Sequence, residues 1–290
     1  MTFFVLVFVF VLFFVFVASR FVGAPLRFVN VIVPVIVNSS LFTLHSSLAK
    51  LASRIVPVVV LVNVNVKLLS QTVIGTPGLM NIPTAEVRQG GTFDGGASLM
   101  QKELQAEAMN YNTGVYYVNF APFSFFDVTL RETLIKCQKS PSDPTVGFYQ
   151  QDRSLSLRVR PIREQEGSWW PSVLVGANDF YSSHGESYYA AVYGVVTKTL
   201  PLKGIGNFSV TAGYAKPIRM GILYDGVFGG VSYSPLLAPM VRVMGEYDTR
   251  GVNVGVGAHL FRHLNLTCFT REFKGISATV SYQYTIRFKQ

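Results

Sequence analysis

Val241-Arg242-Val243-Met244-Gly245-Glu246-Tyr247-Asp248 is the stretch whose reading decides the fold. In an extended chain, side chains point alternately to opposite faces. Arg242, Glu246 and Asp248 therefore share one face, opposite Val241, Val243 and Tyr247. Leu155-Ser156-Leu157-Arg158-Val159-Arg160 repeats the arrangement, and Asp127, Thr129 and Arg131 alternate with Val128 and Leu130. Ser277, Thr279, Ser281 and Gln283 carry a weaker version, because Tyr282 and Tyr284 fall on the face of Ala278 and Val280. A soluble sandwich also alternates, but its strands are short and its charged face is the outside.

Working outward, segments of this kind fill the chain after residue 90. Turn residues divide it into about 12 candidate strands: 91–104, 108–121, 125–136, 148–164, 168–182, 187–200, 207–216, 223–234, 240–250, 251–262, 264–274 and 276–288. Most exceed the five or six residues usual in soluble sheets, and the number is even. Aromatic pairs lie near several strand ends: Tyr116-Tyr117, Phe125-Phe126, Trp169-Trp170 and Tyr188-Tyr189. Such pairs suit the girdles that mark a bilayer interface. No stretch sustains a 3.6-residue period. An open sheet edge in hydrocarbon would strand backbone donors and acceptors at several kcal/mol each, so a spanning sheet has to close. The expected fold is all-β: a transmembrane antiparallel β-barrel of about 12 strands over 91–290, preceded by a hydrophobic leader.

Composition agrees. Of 290 residues, 49% are hydrophobic and only 14% charged, well below the quarter or so typical of soluble domains. The net charge of +9 divides unevenly. Residues 1–70 hold Arg20, Arg27, Lys50, Arg54 and Lys67 and no acidic group; the remainder is nearly balanced. The basic groups after residue 70 are scattered, which argues against a nucleic-acid partner. Residues 1–70 form a leader or signal region in which Lys50 and Arg54 precede an apolar core. Export directed by that second apolar segment would start the mature chain near Gln71; the competing reading is a double membrane anchor. Residues 71–90, rich in Gly, Pro and Asn, form an irregular lead-in segment.

Within the barrel, the polar faces nominate Asp127, Arg131, Arg158, Arg160, Arg242, Glu246 and Asp248 as lumen groups. Charges in a narrow lumen should be paired, because an unpaired one is costly, and Glu246 is expected to serve an arginine. Two readings stay open: a salt-bridged filling that stabilises a narrow barrel, or a polar track for a sugar chain. Mixed signs disfavour a strongly selective ion pore. The direction of Asp179 depends on a bulge, because its parity matches Val173, Val175 and Ala177.

The signals for catalysis fail on inspection. His259 and His263 lack the glutamate of a zinc-protease helix. Gly230-Val231-Ser232-Tyr233-Ser234 lacks the second glycine of an esterase elbow, leaving a barrel lipase built on His184, His259 or His263 without any motif. Gly204-Ile205-Gly206 and Gly255-Val256-Gly257 lack the rest of a dinucleotide fingerprint. Cys137 and Cys268 have no metal-binding context and are read as free thiols in preference to a disulfide. No catalytic residue, cofactor or metal is indicated.

Gly75-Thr76-Pro77-Gly78-Leu79-Met80-Asn81-Ile82-Pro83-Thr84-Ala85 resembles the start of the YjbH family of exopolysaccharide-associated outer-membrane proteins. Asp152-Arg153-Ser154-Leu155-Ser156-Leu157-Arg158 and the run from Trp170 to Phe180 resemble it too, as do Phe228-Gly229-Gly230-Val231-Ser232-Tyr233 and Gly245-Glu246-Tyr247-Asp248. The resemblance implies an outer-membrane barrel linked to making or exporting an extracellular polysaccharide or capsule. Its implied partners are outer-membrane lipid, polysaccharide, and periplasmic or outer-membrane export proteins. It supplies no catalytic residues.

Overall fold

The computed structural model describes residues 69–165, 167–183 and 187–286. The expected leader up to residue 68, His45, His184 and Phe288 fall outside them. Twelve strands follow one another: β1 (Thr92–Met100), β2 (Thr113–Phe123), β3 (Phe126–Ser140), β4 (Asp143–Ile162), β5 (Ser172–Ser182) and β6 (Ala191–Leu202), then β7 (Gly206–Pro217), β8 (Gly226–Pro235), β9 (Val241–Tyr247), β10 (Val252–Leu260), β11 (Leu264–Arg271) and β12 (Ile276–Thr285). Each pairs antiparallel with its sequence neighbours, and β12 returns to β1 with Thr92 opposite Thr285, closing the barrel. One expected strand corresponds to each observed one.

Alternation sets the two faces. Val118, Leu130, Val159, Val175, Val243 and Val280 are exposed outward, where only lipid satisfies them. Thr129, Arg158, Arg242, Glu246, Asn253 and Thr267 are buried inward. The weak pattern of β12 resolves in the same way: Ser277, Thr279 and Ser281 face in, and Tyr282 and Tyr284 face the bilayer side. A closed, even-stranded barrel with an apolar outer face is the architecture of bacterial outer-membrane proteins.

Two boundaries differ from expectation. The connection expected at 137–147 is strand instead: β3 and β4 stay paired out to Ser140↔Asp143. Beyond the bilayer both faces of this hairpin meet water, so the residues lose the binary pattern that would identify them. The first expected strand stops early, at Met100, and gives way to a short 3₁₀ turn over Lys102–Leu104.

The lead-in segment joins β1 at what we term the near end, where most strands are linked by short turns. The far end carries the β3–β4 hairpin and the longer β1–β2, β5–β6 and β7–β8 connections. Outer-membrane barrels place short turns in the periplasm and longer loops outside, which orients the far end outward.

Candidate functional site

The irregular segment from Ser70 to Arg88 does not lie beside the barrel. Every residue in it is buried, and its partners come from around the whole wall. It is a plug within the lumen. Two isolated bridges, Gln71↔Pro77 and Gly78↔Pro83, fold it back on itself. Val73, Ile74, Leu79, Met80 and Ile82 then form an apolar core with wall side chains such as Leu174, Tyr193, Phe228, Met244 and Phe269.

Glycines make room for it. Gly75 has φ +86, and a Cβ there would stand 2.3 Å from Cγ of Tyr117. On the wall, a Cβ at Gly230 would stand 2.7 Å from Cδ1 of Leu79. The plug's curvature and its apolar contacts both need the absence of a side chain at these positions.

The polar lumen groups grip the plug. Glu246 accepts the backbone N–H of Met80 at 3.0 Å and of Asn81 at 2.6 Å, and the Asn253 amide at 2.9 Å. Its expected arginine partner is replaced by these amides, whose N–H groups donate to the carboxylate without a second charge. Asp248 accepts from Asn81 Nδ2 at 2.6 Å and pairs with Arg271 at 3.0 Å. Tyr224, in the β7–β8 loop, donates to the side-chain oxygen of Asn81 at 2.9 Å. Burial, reinforced by the nearby Asp248 carboxylate, pushes the Tyr224 hydroxyl well above its ordinary range, which keeps it a neutral donor.

Lower in the lumen, Arg158 donates to the carbonyls of Pro77, Thr84 and Glu86 and lies 3.5 Å from Asp127, its cross-strand partner. Arg242 pairs with Glu86 of the plug at 3.3 Å. Arg88 pairs with Asp94 and donates to Gln283. Thr197 accepts the Ala85 N–H at 2.9 Å.

The remaining two sequence-nominated residues sit apart. Arg131 pairs with Asp179 at 2.6 Å and Asp152 at 3.4 Å, and lies over the Tyr189 ring at 4.5 Å. Asp179 reaches the lumen because the β4–β5 register shifts between Leu155 and Leu157 and Asp179 itself has φ +47. Arg160 is half-buried near the β2–β3 turn and donates to the Ser124 carbonyl.

Residue-level reading missed Glu86, Arg88, Asp94, Asp152 and Arg271. Asp152 shares the parity of Arg158 and was available from that signal; Glu86 and Arg88 lie in a segment with no period to read.

The histidines offer no base paired with a serine nucleophile among the described residues. His259 is buried, with Nδ1 2.6 Å from Asn265 Oδ1 and no partner on Nε2. The nearby Ser281 hydroxyl accepts from Asn265, not from the histidine. His263 sits in the β10–β11 turn against Tyr282, with Nδ1 2.8 Å from the Gln283 carbonyl. Cys137 and Cys268 are both free and half-buried.

A family model described as YjbH, exopolysaccharide biosynthesis protein YbjH, matches residues 70–222, more than half of the chain, and its first residues are the plug. The chain belongs to the YjbH family. The matched span of this YjbH chain runs from the plug through β7 into the loop that holds Tyr224. Among solved structures it is similar to KdgM porin, with 8% identity, a TM-score of 0.41 and coverage of 68% of this chain and 99% of that one. It is also similar to outer membrane phospholipase A from Escherichia coli, with 11% identity, a TM-score of 0.31 and coverage of 70% and 99%. The Salmonella typhi phospholipase dimer with bound calcium is similar at 11% identity, a TM-score of 0.31 and coverage of 69% and 92%. No curated protein sequence matches the chain.

Proposed function

We propose that this YjbH chain is a non-enzymatic, plugged outer-membrane barrel that assists the synthesis or export of an extracellular polysaccharide. One observation carries the reading: the span that matches the family begins with the segment that fills the lumen, and the wall charges hold it. Glu246, Asp248, Arg158 and Arg242 are committed to the plug, so the lumen is a closed structure in this state. With the plug moved aside, the same groups, with Asp127 beside Arg158 and with Arg131 and Arg160 elsewhere along the wall, form a polar track of mixed sign, suited to a hydroxyl-rich chain.

Export proteins of the periplasm or outer membrane are the partners this role requires. Deleting the gene and measuring surface polysaccharide tests the role: a clear fall, restored by the wild-type gene, is expected, and an unchanged amount would leave only a structural barrel. A lipase or deacylase is the competing class. Labelling of the purified chain by a serine-directed covalent probe would favour that class over ours.

A further inference from the structure

The lumen is filled, but the far end is not flush. Two clefts open there on either side of Arg250, of about 310 and 260 Å³, sharing Ala106, Glu107 and Arg250 in their walls. The first reaches the lower end of the roughly 300–1,000 Å³ of small-molecule sites and the second falls just below it. They lie between the β1–β2 loop, the β7–β8 loop, the β9–β10 turn and Tyr188 of the β5–β6 connection, on the face assigned to the cell exterior.

The lining has three kinds of group at once. Lys102 and Arg250 donate, and Glu107 accepts; Tyr188 and Leu223 supply apolar surface. Gln105 is 1% exposed, its amide nitrogen is committed to the Tyr111 carbonyl, and its Oε1 has no partner. That oxygen is sealed from the cleft, so Gln105 is a wall residue and not a ligand contact.

The walls are held before any ligand arrives. Arg250 donates through Nη1 to the Gln105 carbonyl at 3.1 Å and through its backbone N–H to Asp248 at 3.3 Å. Thr249 ties the Leu223 carbonyl at 3.3 Å. Such preorganisation lowers the ordering cost of binding.

We infer that this far-end cleft is a saccharide-binding site, with Lys102, Glu107 and Arg250 as its polar contacts and Tyr188 and Leu223 as the surface for a sugar's C–H face. Sugar hydroxyls both donate and accept, so they need mixed donors and acceptors in one place. An acyl chain would leave much of that polar lining unsatisfied. The site rests on the polysaccharide role proposed above and gives that role a point of contact outside the plugged lumen.

The test uses the full chain in nanodiscs, titrated calorimetrically with short oligosaccharides released by partial hydrolysis of the expressing strain's surface polysaccharide. Saturable binding is expected. Arg250→Ala and the exposed Glu107→Ala should each weaken it about fivefold or more, the worth of one hydrogen bond. Lys139→Ala, on the projecting hairpin at the same end, should leave it unchanged. Absent binding, or binding indifferent to both cleft variants, overturns the site. Gene deletion separates the two failures. If deletion lowers surface polysaccharide and the double cleft variant restores it fully with unaltered binding, the site alone fails. If deletion has no effect, the role itself fails.

Discussion

Glu246 shows how a buried charge is tolerated at the scale of one residue. Among the described residues its carboxylate meets no guanidinium; the plug amides of Met80, Asn81 and Ile82 and the side chain of Asn253 share it instead. Glu246→Gln keeps one acceptor oxygen but turns an NH₂ toward backbone N–H groups, costing about 1–3 kcal/mol through unsatisfied donors. The loss falls on the plug rather than the barrel. Heat-modifiable gel migration should therefore persist, while planar-bilayer recordings show more frequent openings than wild type. A variant as silent as wild type would mean that the plug does not depend on this carboxylate. Gly75 makes a second residue-scale case. Gly75→Ala adds both positive-φ strain and a clash with Tyr117, and should lower the thermal midpoint of heat modification. Adding Tyr117→Ala removes the ring but keeps a Cβ 2.6 Å from the new methyl, so little recovery is expected, whereas adding Tyr117→Gly clears the contact and should recover part of the loss.

At the scale of elements, the wall and the plug behave oppositely with respect to the sequence. All twelve strands are readable, since lipid outside and a polar lumen inside impose a period of two, as Val241 to Asp248 shows. The reading stops where that two-sided environment stops: at Lys139–Asp143 in the projecting hairpin, and through the plug, whose residues 70–88 are buried on every side. A segment buried all round has no polar face to alternate with, so composition identifies it as irregular and cannot say that it turns inward. Parity leaves Asp179 undecided for a local reason, a bulge and a positive φ that parity counting does not contain. The separation of wall from plug predicts the outcome of deleting residues 71–88. Backbone hydrogen bonds among the twelve strands are untouched, and water entering the lumen hydrates Arg158, Asp127 and Glu246. The deletion should still migrate as a folded barrel and should conduct steadily. A folded but non-conducting product would show that something other than the plug closes the lumen.

At the scale of the whole molecule, the outer face fixes how the barrel sits in a bilayer. The chain's only two tryptophans, Trp169 and Trp170, are 89% and 70% exposed at the near end, in the β4–β5 connection. Amphipathic indoles collect at the level of the lipid headgroups. Their fluorescence in liposomes should be quenched more by lipids brominated near the headgroup than by lipids brominated near the chain terminus. Mid-strand residues make the sharper test, because neighbours in sequence face different solvents. Val243 points to lipid and is 53% exposed; Arg242, one residue away, is 5% exposed and pairs with Glu86 of the plug. Val243→Arg places a charge against hydrocarbon, at a cost of about 2–4 kcal/mol near the bilayer midplane. Its folded fraction in urea titrations from liposomes should fall accordingly. Arg242→Gln leaves the outer face intact, so insertion is spared, while Glu86 loses its wall partner and the plug loosens. The two variants should therefore separate cleanly: Val243→Arg impaired in insertion with a quiet lumen in the molecules that do insert, Arg242→Gln inserted normally with altered conductance. The reverse pattern would mean that β9 presents its other face to the lipid, and the plug contacts of Glu246 and Asp248 on that strand would fall with it.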